Sequence, residues 1–85
     1  MVDNSFFVYV IKSKEGLHYT GYTSDLEKRI KQHNDKSLSF WTKRGSGWKL
    51  IFFKEFKSSS EAMNYEKFLK SGQGRIFLKK NVKSY

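Results

Sequence analysis

Residues 8–21 read VYVIKSKEGLHYTG. The run from Phe6 to Ile11 is aromatic and β-branched throughout, the composition of a well-buried strand. Lys12 to Gly16 supplies turn-formers, and Leu17 to Tyr22 reads as the returning strand of a hairpin. Tyr9 and Tyr19 stand ten positions apart, one in each strand. A hairpin can bring such a pair near one another across its ladder. Tyrosine in a strand is ordinarily a packing residue, so the meaning of this pair depends on what else gathers around it.

Working outward, Thr23-Ser24-Asp25-Leu26-Glu27 announces a helix, with Ser24 as the expected cap and Glu27 three residues on to complete a capping box. Leu26, Arg29, Ile30 and His33 recur at helical spacing, and Asn34 can end the helix. Asp35 to Gly47 is a polar, basic loop carrying Phe40 and Trp41. Trp48 to Phe53 reads as a third strand, with a continuation to Phe56 allowed. Ser58 and Glu61 repeat the capping-box spacing and start a second helix. It is expected to reach about Ser71, with Gly72 in the position just past a helix end that glycine favours. A last helix is expected around Gln73 to Lys80. The order β-β-α-β-α-α implies an α+β fold, a small antiparallel three-stranded sheet with helices packed on it.

With 85 residues the chain is read as one domain, since two would each be too short to bury a core. Hydrophobic residues make up only 38%, but aromatics reach 18%, and large rings can supply the missing buried area. The sequence contains no cysteine, which excludes disulfides and thiolate-held zinc. Seventeen Lys+Arg against eight Asp+Glu leave a net charge of +9, which favours polyanionic partners, nucleic acid first. No apolar stretch approaches the roughly 20 residues of a membrane span. Met-Val-Asp-Asn-Ser at the start lacks the basic and apolar regions of a signal peptide, so a cytoplasmic protein with no membrane partner is expected.

Two helices carry polar groups on their apolar faces. Glu66 lies between Ala62 and Leu69, alongside Tyr65, where a core helix would place leucine. A buried carboxylate without compensation is costly, so Glu66 calls for a cation, a donor network or open solvent. Pairing with a lysine would account for it without any function. Arg29 and His33 occupy the same kind of position on the first helix, where an arginine can snorkel and a histidine can simply be hydrogen-bonded. If all these groups meet on one sheet face, two phenols, a guanidinium, an imidazole and a carboxylate converge. That is the equipment of phosphodiester hydrolysis: a carboxylate for a divalent metal, a guanidinium for phosphate and hydroxyls to position water.

In this order and spacing the fragments resemble a GIY-YIG nuclease domain, of the small single-domain type related to the N-terminal domain found in the bacterial excinuclease. The resemblance runs from about Phe6 to Lys80. FVYVIKS (7–13) stands for the first half of the motif with Tyr9 as its tyrosine, and YTG (19–21) for the second. GYTSDLEKRIKQHN (21–34) resembles the following loop and helix with Arg29 and His33. EAMNYEKFLKSGQGR (61–75) resembles the helix bearing the metal-binding glutamate, which falls on Glu66 and not Glu61. Phe7 replaces the first motif's glycine and Thr20 the second motif's isoleucine; neither position supplies a reacting group. Many members carry a late asparagine near the site. Asn64 and Asn81 are the candidates here, and neither is assigned that role.

The resemblance implies an endonuclease that hydrolyses DNA phosphodiesters with one metal ion, usually Mg²⁺, Mn²⁺ being an alternative. Glu66 is expected to hold the metal, Arg29 to contact the scissile phosphate, and Tyr19 to orient or deprotonate the water. Tyr9 is expected to be hydrogen-bonded nearby, with His33 a candidate to receive a proton. A phenol of pKa about 10 is ionised about once in a thousand at pH 7, so activity should rise toward alkaline pH. Lys28, Lys31, Lys43, Arg44, Lys70 and Arg75 are candidates to track the phosphate backbone. Trp41 is a candidate to stack on an unpaired base. DNA is the expected partner, with RNA also open, and with specificity supplied by substrate shape or a protein partner. A monomer or weak homodimer fits the length. A DNA- or RNA-binding module without turnover, or a protein-interaction domain, are the alternative readings on the same fold.

Overall fold

The computed structural model describes residues 5–35 and 45–85, and Phe40, Trp41, Lys43 and Arg44 lie outside them. Strand β1 spans Phe6–Lys12 and β2 spans His18–Thr23. Helix α1 follows over Leu26–Asn34, then β3 over Lys49–Phe56, α2 over Ser59–Lys70 and α3 over Gly72–Asn81. The three strands form one antiparallel sheet in the order β2-β1-β3, so the hairpin read from residues 8–21 supplies the centre and one edge.

Register divides the sheet into two faces. Tyr9 pairs with Gly21 and Ile11 with Tyr19, and residues paired across a ladder share a face. On that face Tyr9, Ile11 and Trp48 form a buried cluster with Tyr19, Leu26, Ile30 and Leu50, which places α1 over it. On the other face Val8 and Val10 pack with Ala62, Leu69, Leu78 and Val82, under α2 and α3. The continuous apolar run of β1 follows from this: the central strand is covered on both sides.

Local signals explain most element ends, with two exceptions. Ser58 caps α2 as expected, accepting from the Glu61 N–H at 3.3 Å while its hydroxyl donates to the Glu61 carboxylate at 3.0 Å. The α1 cap, however, is Asp25, whose Oδ1 accepts from Lys28 N, and not Ser24. Thr23 Oγ1 accepts the Asp25 N–H at 3.1 Å, a turn that delays the helix by one residue. The second exception is Gly72, which does not terminate α2 in a left-handed cap. It opens α3, while Ser71 in an extended conformation closes one helix and caps the next through its bond from Gly74 N. The two helices nearly abut, and a Cβ on Gly74 would collide with the Phe68 carbonyl oxygen and the Leu69 main chain. This close approach holds α3 against α2.

Long-range polar contacts then hold the sheet's outer pieces. The Asn34 side chain accepts from Trp48 N at 2.8 Å and donates to Trp48 O at 3.1 Å, joining the end of α1 to the start of β3. The hairpin tip turns at Gly16, with φ +90°, and carries Glu15 to Ser46, whose N–H and hydroxyl both donate to its carboxylate. Those two bonds hold the Glu15 pKa down to about 2.

Candidate functional site

Tyr9 and Tyr19 sit diagonally across the β1–β2 ladder, because Gly21 and not Tyr19 lies opposite Tyr9. Their ring centroids are 6.3 Å apart. His33, in the last turn of α1, completes a triangle, 4.7 Å from the Tyr19 ring and 5.7 Å from the Tyr9 ring. Tyr9 Oη and His33 Nε2 share a hydrogen bond of 2.7 Å. Gly21 makes this packing feasible. A Cβ there would lie 2.8 Å from Tyr9 Oη and 3.1 Å from Tyr19 Cε2. Its requirement is space for two phenols, not an unusual backbone angle.

Burial separates the three rings chemically. Tyr9 is 1% exposed and His33 4%, whereas Tyr19 is half-buried at the open side of the cluster. Burial raises the Tyr9 pKa well above 10; the neighbouring Tyr19 adds to the rise, Arg29 opposes it and Glu66 adds a smaller share. Burial lowers His33 from 6.5 to about 4, and the Arg29 charge pushes the same way. At neutral pH the pair is therefore an intact phenol hydrogen-bonded to an uncharged imidazole, whose tautomer decides which of the two donates.

Arg29 stands one turn before His33 on α1 with its side chain exposed, and its charge acts on both buried partners. Glu66 arrives differently. It belongs to α2, which packs on the opposite sheet face and reaches the β2 edge, so the expected convergence on a single face is replaced by convergence around that edge. The Glu66 side chain is 19% exposed and pairs with Lys70 Nζ at 3.1 Å, the lysine contact that its apolar position called for. Its charge nevertheless reaches the Tyr9 phenol. Among the described residues no three His, Cys, Asp or Glu side chains form a metal-binding group, and Glu66 is the carboxylate whose charge acts on the Tyr9 phenol.

Two clefts flank these residues. One, of about 370 Å³, is lined by His18, Tyr19, Thr20, Lys70, Arg75 and Tyr85. The other, of about 350 Å³, lies beside Arg29 and includes Lys28 and Gln32. Lys28, Lys70 and Arg75 thus border the site, while Lys31 is exposed on α1 and lines neither cleft. Asn81 is spent on its own helix, donating to Phe77 O at 2.8 Å, and Asn64 is exposed on α2. The sequence reading missed Gly21 as a site residue, because its place opposite Tyr9 depends on a strand register that only the folded hairpin fixes. It also missed His18 and Tyr85, whose rings stack with centroids 4.0 Å apart at the rim of the first cleft; 67 residues separate them, and no local pattern links them.

A sequence profile described as the GIY-YIG catalytic domain matches residues 5–81. The chain belongs to the GIY-YIG family. It is 43% identical to the UPF0213 protein YazA of Bacillus subtilis over 70 residues, covering 82% of this chain and 71% of that protein. A second relative, the UPF0213 protein CPE1444 of Clostridium perfringens, is 39% identical over 64 residues, 75% of this chain and 69% of the relative. The fold matches the solution NMR structure of the UPF0213 protein BH0048 from Bacillus halodurans with a TM-score of 0.53 at 33% identity, covering 87% of this chain and 81% of that one. GIY-YIG domains form a nuclease family, and DNA is the substrate that membership implies. The two departures from the family motif have structural uses here. Phe7 packs its ring on Phe53, and Thr20 lines the cleft beside Tyr19. No helix among the described residues is long and apolar enough to cross a membrane.

Proposed function

We propose that this GIY-YIG chain is a metal-dependent endonuclease that hydrolyses DNA phosphodiester bonds with one metal ion and little sequence preference of its own. The observation that carries the reading is the packed Tyr9–Tyr19–His33 cluster with Arg29 and Glu66, from opposite layers, both acting on the Tyr9 phenol. A site with a single protein carboxylate fits Mg²⁺, which keeps several waters and takes further oxygens from substrate phosphate; Mn²⁺ suits the same oxygen set. Glu66 would hold the ion, which when bound supplies positive charge at a phosphate oxygen and the leaving group.

The remaining roles follow from burial and charge. Arg29, exposed and always protonated, presents a planar fork to the scissile phosphate. Tyr9 keeps its proton and, with His33, holds the site's inner wall. Charging His33 at pH 7 would run about three pH units against its depressed pKa, roughly 4 kcal/mol, so it is a poor resting place for the water's proton. Tyr19, at the open side and lining the cleft, is the phenol that orients the attacking water. Lys28, Lys70 and Arg75 line the route of the backbone on either side, with Lys31 further out on α1.

The test is cleavage of supercoiled, single-stranded and branched DNA in Mg²⁺, Mn²⁺ or EDTA, with Glu66→Gln as the comparison. Metal-dependent nicking that disappears in the variant while DNA binding persists supports the reading. Binding of all three substrates without cleavage refutes it, and cutting that survives Glu66→Gln removes the assigned metal site.

A further inference from the structure

We propose that Lys70 is a switching cation: it occupies the Glu66 carboxylate until a divalent metal enters, then turns to a substrate phosphate in the cleft beside Tyr19. The inference rests on the metal site proposed above. The Glu66 side chain is only 19% exposed, and a largely covered carboxylate without a counter-charge is costly. Lys70 meets that need one helical turn away, its Nζ 3.1 Å from Glu66 Oε2.

The contact is built to be given up. The Lys70 side chain is 55% exposed against 19% for its partner, so the ammonium stays within reach of water while it neutralises the carboxylate. Lys70 also lines the cleft that holds Tyr19 and Arg75. One side chain therefore borders both the carboxylate and the place where substrate phosphate would lie. An ammonium and a divalent ion repel at a shared carboxylate, so metal entry drives Lys70 off. Once released, it has a second anion to neutralise only if nucleic acid fills the cleft. Metal and nucleic acid then favour one another's binding, and the coupling is reciprocal.

Two measurements without turnover test this. The first is Mn²⁺ binding to the protein alone, followed by electron paramagnetic resonance of the free ion. Lys70→Gln should bind Mn²⁺ about three- to thirtyfold more tightly than wild type. Lys79→Gln, the same change of charge at an exposed position of α3, should leave affinity within about twofold. Glu66→Gln should abolish the site. The second is duplex binding in EDTA as a function of salt, for Lys70→Gln made in wild type and in Glu66→Gln. Lys70 is tied down in the first background and free in the second. Its removal should therefore lower the salt slope by about 0.9 only where Glu66 is gone. Equal Mn²⁺ affinity of wild type and Lys70→Gln, with binding abolished in Glu66→Gln, overturns the switch and leaves the metal site standing. Undiminished Mn²⁺ binding by Glu66→Gln overturns both. An identical salt slope change in the two backgrounds overturns the transfer to phosphate.

Discussion

Replacing Gly21 with alanine tests whether the two phenols need the space that only glycine leaves. The added methyl would sit 2.8 Å from Tyr9 Oη, 3.1 Å from Tyr9 Cζ and 3.1 Å from Tyr19 Cε2. Ordinary contacts begin near 3.4 Å, so the rings must retreat by about half an ångström. Tyr9 can retreat only by disturbing its 2.7 Å bond to His33 or the neighbours that bury it to 1% exposure. Overpacking of this kind costs about 1–3 kcal/mol, and weakening the Tyr9–His33 bond about 1 more. Alanine recovers about 0.5–1 kcal/mol by restricting the unfolded strand. The net destabilisation is roughly 1–3 kcal/mol, which for a domain of this size lowers Tm by roughly 5–20 °C. Thermal denaturation by circular dichroism reads the loss. The His33 titration followed by NMR reads the geometry, since a loosened cluster should let its pKa climb from about 4 back toward 6.5. Gly72→Ala is the comparison: a methyl there meets nothing within 4 Å, and Tm should hardly change. A Gly21→Ala variant that melts with wild type and whose His33 still titrates near 4 would refute the packing argument.

The buried imidazole also makes the fold acid-sensitive. Because the folded chain binds the His33 proton less tightly than the unfolded one, its contribution is intact above pH 6.5 and is lost as pH falls through about 4. At about 1.4 kcal/mol per pH unit the full loss is roughly 3 kcal/mol. Urea denaturation at pH 7 and pH 4 should show that much more acid destabilisation in wild type than in His33→Gln; equal losses would contradict it. For the phosphate contact, Arg29→Lys keeps the charge but loses the fork. Single-turnover cleavage should slow by about ten- to a hundredfold, the value of one or two charged hydrogen bonds. Stability should change by less than about 0.5 kcal/mol, because the side chain is exposed. Unchanged cleavage would remove Arg29 from the phosphate.

Much of this molecule is legible in short stretches of chain. The turn-formers between two β-rich runs produced the hairpin, the Ser58–Glu61 spacing produced the α2 cap, and the aromatic run after Trp48 became a strand reaching Phe56. Each depends on interactions a few residues long, which sequence spacing reports directly. The α1 cap shows the limit of such reading. Ser24 and Asp25 are adjacent and equally able to cap, and the Thr23 bond to the Asp25 N–H decided between them. Gly72 had the right local signal for a helix end, but the packing of Gly74 onto Leu69 let α3 begin at once.

The candidate site divides along the same line. Residue types, order and spacing were enough to nominate Tyr9, Tyr19, Arg29, His33 and Glu66, since a resemblance of this kind is carried by the chain itself. Their unequal chemistry was not. Helical periodicity says that Glu66 faces inward, but not which side of the sheet α2 covers, so the approach around the β2 edge emerged only from the packed layers. Nor does a sequence distinguish two tyrosines in neighbouring strands. Register put Gly21 opposite Tyr9, α1 closed over it, and the loss of water made Tyr9 a proton-holding wall while Tyr19 stayed at the cleft. The pKa of a side chain is set by the solvent and charges that tertiary structure removes or brings near, and those come from residues far away along the chain.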